Sequence, residues 1–210
     1  MSDSTRDRLR GLAEASEPGE ILRGLRALRH ELDEYERQQV ARALTSGASF
    51  ATIARELGVS RQAAHRRFRA LAPSAEEEAS GRPVPTPEVR LLLEYARAER
   101  SVSPSQAVLL AVLRMPDLHA AALLRDVGVT LEAARGETGD PPQGEGELRA
   151  LVAGAAREAV RTDHRRIEVE HLLLAALRNP VGGATRTLRA LGVAPDEVRE
   201  GLQAILAPWL

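Results

Sequence analysis

Leu109–Pro116 reads LLAVLRMP, and 64 positions later Leu173–Pro180 reads LLAALRNP, with no gap between the two. The same offset pairs Ala120 with Ala184, Leu124-Arg125 with Leu188-Arg189, and Gly128-Val129 with Gly192-Val193. Upstream the offset becomes 59, where Glu88, Arg90, Leu92, Ala96 and Glu99 meet identical residues Glu147, Arg149, Leu151, Ala155 and Glu158. The first copy is therefore five residues shorter between its first two helices. Chance likeness between Ala/Leu-rich helices would not also align a helix-stopping proline and a Gly-Val pair. A supersecondary unit of roughly 60 residues is used twice.

Each copy reads as a set of short helices. In the second, Leu148, Leu151, Val152, Ala155 and Ala159 form an apolar stripe at helical spacing. A polar turn at Asp163–Arg166 follows, then the almost wholly apolar HLLLAAL, which must be buried on most sides. Asn179-Pro180 stops that helix. A further helix over Ala184–Leu191 ends at Gly192, and Pro195 opens a last one through Leu206. The apolar content is 43% with only 2% aromatics, so the core is built of Leu, Ala and Val. That mix favours packed helices over sheets. The expected fold class is all-α, with a pseudo-twofold globule made of two repeats.

Working outward, Pro73–Pro87 (PSAEEEASGRPVPTP) has little to bury and reads as a semi-extended linker; a second such stretch, Gly136–Gly146, separates the repeats. The expected organisation is an N-terminal domain over 1–72, a linker over 73–85, and a duplicated domain over 86–210 with repeats at 86–135 and 145–206. The net charge of -1 hides an imbalance between these parts. Residues 1–72 carry 13 Arg against 10 acids, whereas 73–210 carry 16 Arg against 20. Arg55, Arg61, Arg66, Arg67 and Arg69 face one nearby acid, Glu56, which marks either a polyanion site or a solvated helix face.

That basic cluster lies in SFATIARELGVSRQAAHRRFRAL, Ser49–Leu71. Phe50, Ile53, Ala54 and Leu57 make one apolar face of a short helix capped by Ser49. Gly58 supplies the left-handed turn, Val59 is expected to point inward, and Ser60 caps a second helix from Arg61. In that helix Ala64, Phe68 and Leu71 face the core, and Arg61, Gln62, His65, Arg66 and Arg69 project outward. Donors near a helix N-terminus suit base edges, and further arginines suit phosphates. Upstream, Ile21, Leu25, Leu28, Leu32 and Tyr35 recur at 4-3-4-3 spacing, a seam for self-association into a homodimer or for folding back on the neighbouring helices.

In the run I-A-x-x-L-G-V-S-R-Q-A-A the chain resembles the helix-turn-helix of bacterial transcription regulators, over about 25 residues plus the preceding helix Asp33–Leu44. That resemblance implies double-stranded DNA as partner, with Ser60, Arg61, Gln62, His65, Arg66 and Arg69 at the interface. In Ala155, Glu158, Ala159, His164, Ile167 and VEHLLLAAL (Val169–Leu177), the second copy resembles the N-terminal domain of Clp-family unfoldase ATPases, itself a tandem of two helical motifs. The likeness spans about 120 residues, Thr86–Leu206. It implies a protein, peptide or cyclic-peptide antibiotic ligand, and in the ClpC branch a phosphoarginine-marked protein.

By that resemblance Glu170 matches the guanidinium-receiving Glu, and Thr86 matches the phosphate-holding Thr of the first repeat. Gln106 stands where the first repeat would carry its Glu, followed by Ala107 in place of His, and Glu145 stands where the second would carry its Thr. Pro85 and Gly144 replace the family's preceding Phe residues.

Other classes are excluded by what the sequence lacks. With no cysteine there is no disulfide, thiolate zinc site or Cys nucleophile. With no lysine there is no phosphate-binding loop of the G-x-x-x-x-G-K-[ST] type, so the chain is not an unfoldase. His164 and His171 lack a serine partner, and His171 at the start of a buried helix is expected to make a structural hydrogen bond. No enzyme activity, metal or cofactor is expected. Met1–Arg10 is polar and no run of roughly 18 apolar residues occurs, so a cytoplasmic protein without a membrane span is expected. Resemblances to ATPase-free Clp homologues of actinobacteria point to a transcription regulator that senses a protein or peptide, the alternative being a decoy or adaptor for Clp substrates, adaptors or Clp-directed antibiotics.

Overall fold

The computed structural model describes residue 11 and residues 17–136 and 145–207, so most of the Gly136–Gly146 stretch and the polar N-terminus lie outside the described residues. Twelve helices run through the described residues, with one pair of two-residue strands. They are α1 (Pro18–Thr45), α2 (Phe50–Glu56), α3 (Arg61–Phe68), α4 (Ala75–Ala79), α5 (Pro87–Ala98) and α6 (Pro104–Leu113). The chain continues with α7 (His119–Asp126), α8 (Leu131–Gly136), α9 (Glu145–Arg161), α10 (Val169–Ala176), α11 (Gly183–Ala190) and α12 (Pro195–Leu206). The all-α reading holds.

The duplication is visible in bonds as well as in sequence. Arg125 Nη1 donates to the Pro116 carbonyl at 3.0 Å, and its counterpart Arg189 donates to the Pro180 carbonyl at 2.6 Å. Gly128 and Gly192 both take left-handed φ values, 85° and 75°, closing the helices before them. Val129 and Val193 each donate back to the matched leucine carbonyl, Leu124 or Leu188. Arg114 pairs with Glu99 at 3.5 Å and Arg178 with Glu158 at 3.9 Å, again matched positions. The apolar helices α6 and α10 form the centre: Val108, Leu109, Leu172 and Leu173 are all fully buried.

The supposed linker is ordered by local chemistry that composition alone concealed. Ser74 accepts from the Glu77 N–H at 3.2 Å while Glu77 accepts from the Ser74 N–H at 2.7 Å, a capping box that sets α4. Glu77 also pairs with Arg90 of α5 at 2.8 Å. Val84–Pro85 (β1) then pairs in parallel with Arg166–Ile167 (β2), through Val84 N–H to the Arg165 carbonyl and Thr86 N–H to the Ile167 carbonyl. Pro85 donates nothing to this ladder, and it sits where no donor is required.

The N-terminal unit is also no tethered bead. Val40, Ala41, Ile53, Phe68 and Leu71 join one continuous core with Leu91, Leu92 and Tyr95 of α5. Around it run polar ties: Arg37 to Glu94, Arg114 to Glu34, and Arg42 to Asp117 at 3.5 Å. Gln38 reaches the Arg114 carbonyl at 3.1 Å and Gln39 reaches Asp117 at 2.9 Å. Arg114 further lies over the Tyr95 ring, 4.5 Å from its centroid.

Candidate functional site

Two places bring together the residues singled out by sequence. The first is the α2–turn–α3 unit. Ser49 Oγ accepts from the Thr52 N–H at 3.2 Å and Ser60 Oγ from the Ala63 N–H at 3.1 Å, so both helices are capped as expected. Gly58 takes φ 67°, a conformation that L side chains rarely adopt. Val59, expected to point inward, is 43% exposed. The left-handed turn swings it out, while Ile53, Ala54, Ala64, Phe68 and Leu71 fill the interior.

Arg61, Gln62, His65, Arg66 and Arg69 all lie on the exposed side of α3 and the turn after it. His65 is held edge-on to Phe50, centroids 5.1 Å apart, so it also stitches α3 to α2. Arg67 belongs to a different side: it pairs with Asp33 at 3.1 Å and Glu36 at 2.6 Å on α1. Those two bonds fix the angle at which α3 leaves α1. Arg61, Arg66 and Arg69 carry no ion pair among the described residues, which leaves three guanidinium groups facing solvent from one side of the unit.

The second place is the corner where β1 and β2 lead into α5 and α10. Thr86 is 1% exposed and caps α5, accepting from the Val89 N–H at 3.4 Å. Glu170 is 8% exposed, and the backbone N–H groups of its own position and of Ala120, in the first turn of α7, favour its ionised form. From the first repeat, Ser105 accepts from the Ala184 N–H at 3.4 Å in the first turn of α11. Gln106 is fully buried and donates to the Ala134 carbonyl at 3.4 Å, so it belongs to the interior and not to a ligand-facing surface. The parallel pairing brings Thr86 of one repeat and Glu170 of the other to the same corner, a cross-repeat juxtaposition that matching residues within each repeat did not foresee. The side chain of Glu145 lies outside the described residues.

Three carboxyl groups crowd that corner. Burial, and then the neighbouring Glu170 charge, raise Glu88 above the ordinary carboxylate range. Burial also raises Glu170, and Glu168 is pushed up to about 7 by burial followed by the Glu170 and Glu88 charges. Arg42 and Arg166 offset this in part, and Arg166 donates to the Thr45 carbonyl at the end of α1 at 3.5 Å. His171, beside them, has the structural role expected of it. Its Nδ1 accepts from the Glu168 N–H at 3.0 Å and its Nε2 lies 2.9 Å from Thr162 Oγ1, which fixes the neutral tautomer. Burial, and then the nearby His164, hold its pKa down to about 4. Among the described residues no group of three His, Cys, Asp or Glu is arranged to hold a metal ion, and no helix is long and apolar enough to cross a membrane.

Comparison with known proteins bears on the second repeat. Residues 146–208 match the Clp repeat (R) N-terminal domain family, so the second repeat is a Clp repeat. Uncharacterized proteins of Mycobacterium tuberculosis and Mycobacterium bovis are 35% identical to the chain over 155 residues, 66% of its length. The match spans 61% of the length of those relatives, less than two thirds.

Proposed function

We propose that this protein is a DNA-binding transcription regulator whose Clp repeat domain receives a protein or peptide ligand, with no catalytic step of its own. The observation that carries the reading is the outer side of α3: Arg61, Gln62, Arg66 and Arg69 stand exposed on a helix capped at Ser60, with the three arginines unpaired among the described residues. Arginine can pair bidentately with guanine and glutamine with adenine, each good pair giving about 1–3 kcal/mol of discrimination. Arg66 and Arg69, further along, suit phosphates. Of the α1 seam, Leu25, Leu32 and Tyr35 are 37%, 53% and 49% exposed while Ile21 and Leu28 are half-buried, so part of it stays open to a second copy. A homodimer through it would present two copies of α3 to half-sites roughly 34–36 Å apart on a palindromic operator.

The test is fluorescence anisotropy against operator fragments recovered by genome-wide mapping of DNA bound to the tagged protein. Arg61→Ala with Gln62→Ala should abolish the difference between operator and scrambled DNA while the circular dichroism spectrum stays helical. Unchanged discrimination in that variant sinks the reading. The matched Clp repeat favours a second reading, a decoy or adaptor that occupies Clp clients or Clp-directed antibiotics. It predicts no DNA affinity at physiological salt, together with retention of Clp substrates by the immobilised protein.

A further inference from the structure

Where the N-terminal unit meets the second repeat, the chain leaves an open cleft of about 710 Å³. Its apolar lining comes from both sides: Leu44 and Ala72 from the N-terminal unit, Val84 from β1, and Val160 from the end of α9. Four prolines, Pro73, Pro83, Pro85 and Pro87, stiffen one wall. A smaller hollow of about 280 Å³ continues the cleft across Pro83, Ala156 and Val160 to Arg157. Val160 is 65% exposed at the point the two hollows share, an apolar side chain that the fold leaves uncovered.

Charge surrounds this apolar strip. Arg82, Arg165 and Arg166 line the larger hollow and Arg157 the smaller one. All four are exposed, and Arg82, Arg157 and Arg165 carry no ion pair among the described residues. Glu78 and Asp163 are the two carboxylates in the same lining, so four guanidinium groups outnumber the acids by two. An apolar strip alone would take any greasy surface. Unpaired guanidinium groups on both sides of it select for negative charge, and they make charge-assisted hydrogen bonds to carboxylate or phosphate oxygens.

We infer that this cleft is a binding site for a small amphiphilic acid, a carboxylate or phosphate carried on an apolar body. The apolar body lies along Val160 and the proline wall, and the anionic head is held by Arg82 and Arg165. Because the lining joins Leu44 and Ala72 to Val160, such a ligand touches the N-terminal unit and the second repeat at once. The site stands on its own lining and does not rest on the DNA-binding reading.

The probe is anilinonaphthalene sulfonate, an apolar anion whose fluorescence reports its own burial, titrated into the full chain. Arg82→Ala with Arg165→Ala removes two exposed, unpaired side chains, so the melting temperature should hold. The probe's affinity should fall about tenfold, as expected for losing two charge-assisted contacts. Uncharged N-phenylnaphthylamine should bind the two proteins alike. Octanoate and octyl phosphate should displace the probe where octanol does not, and the stronger of the two acids identifies the preferred head group. Arg157→Ala alone, on the far lip, provides a second and milder variant with a smaller loss. Equal probe affinity in wild type and both variants, or displacement by octanol as good as by the acids, overturns the inference.

Discussion

Glu168→Gln should stabilise the protein at neutral pH and lose that advantage in acid. Glu168 has a pKa near 7 in the fold against 4.5 as its ordinary value, because burial and the Glu170 and Glu88 charges disfavour its ionised form. A raised folded pKa contributes stability that is complete below the unfolded value and is lost as pH rises through the folded one. The window is therefore pH 4.5 to 7. At 1.36 kcal/mol per pKa unit, the gap costs about 3 kcal/mol at pH 8, which the neutral amide avoids. His171 works in the opposite sense. Its folded value of about 4 lies below the ordinary 6.5, so its contribution is present above pH 6.5 and is lost as pH falls towards 4. The two slopes oppose each other between pH 4.5 and 6.5, which flattens the wild-type profile there. Urea unfolding followed by circular dichroism at half-unit pH steps gives both curves. The variant should be more stable by up to about 3 kcal/mol at pH 8, and the difference should close by pH 4.5. A difference that does not change with pH would refute the assignment of a strained carboxylate.

Further outcomes follow from the same geometry. Arg66→Ala with Arg69→Ala should weaken binding to all DNA sequences alike and lower the slope of log affinity against log salt by roughly 2, since each neutralised phosphate contributes about 0.9; this is measured by anisotropy at several salt concentrations. Leu25→Lys with Leu32→Lys should shift a dimer to monomer in sedimentation velocity and reduce operator affinity without changing helicity, because both side chains are exposed on α1. Gly183→Ala should cost about 1–3 kcal/mol in denaturant midpoint measurements, as overpacking does. Its added methyl would run into Ser103 Oγ and sit 3.1 Å from Gln106 Cβ, in the contact between α11 and α6.

The sequence carried the fold further than the site. Repeated punctuation located α6 and α10, and Gly192 and Pro195 fall where the structure ends α11 and begins α12. These are local signals, set by backbone conformation, so they survive without tertiary knowledge. The caps at Ser49 and Ser60 and the outward side of α3 were legible for the same reason. What was hidden is long-range. The pairing of Val84–Pro85 with Arg166–Ile167 spans 82 positions, and nothing in PVPTP alone announces a partner. The capping box at Ser74 was present in the sequence, but it was masked by a composition that looks like linker. Gln106 stands at the position matching Glu170, yet only packing shows that it faces Ala134 in the interior. The cleft around Val160 had no sequence signal at all, because its walls come from four separate segments.

Duplication also explains how the N-terminal unit is held. Arg114 and Arg178 are matched residues, and both keep the inherited pairing to Glu99 or Glu158. Only Arg114 has a second task, joining Glu34 of α1 while stacking on Tyr95, and its side chain is 21% exposed against 67% for Arg178. One scaffold thus offers two equivalent arginines, and α1 takes the one in the first repeat. The face around the other stays open to solvent, so a partner can reach the second repeat without displacing α1. On the DNA-binding reading proposed above, a ligand there changes DNA affinity only if it binds two arrangements of the molecule unequally. With the two units sharing a core, free swinging on a linker cannot supply those arrangements. A change in the contacts among Arg37, Glu94, Arg42 and Asp117 can, because these ties set where α3 points relative to the repeats.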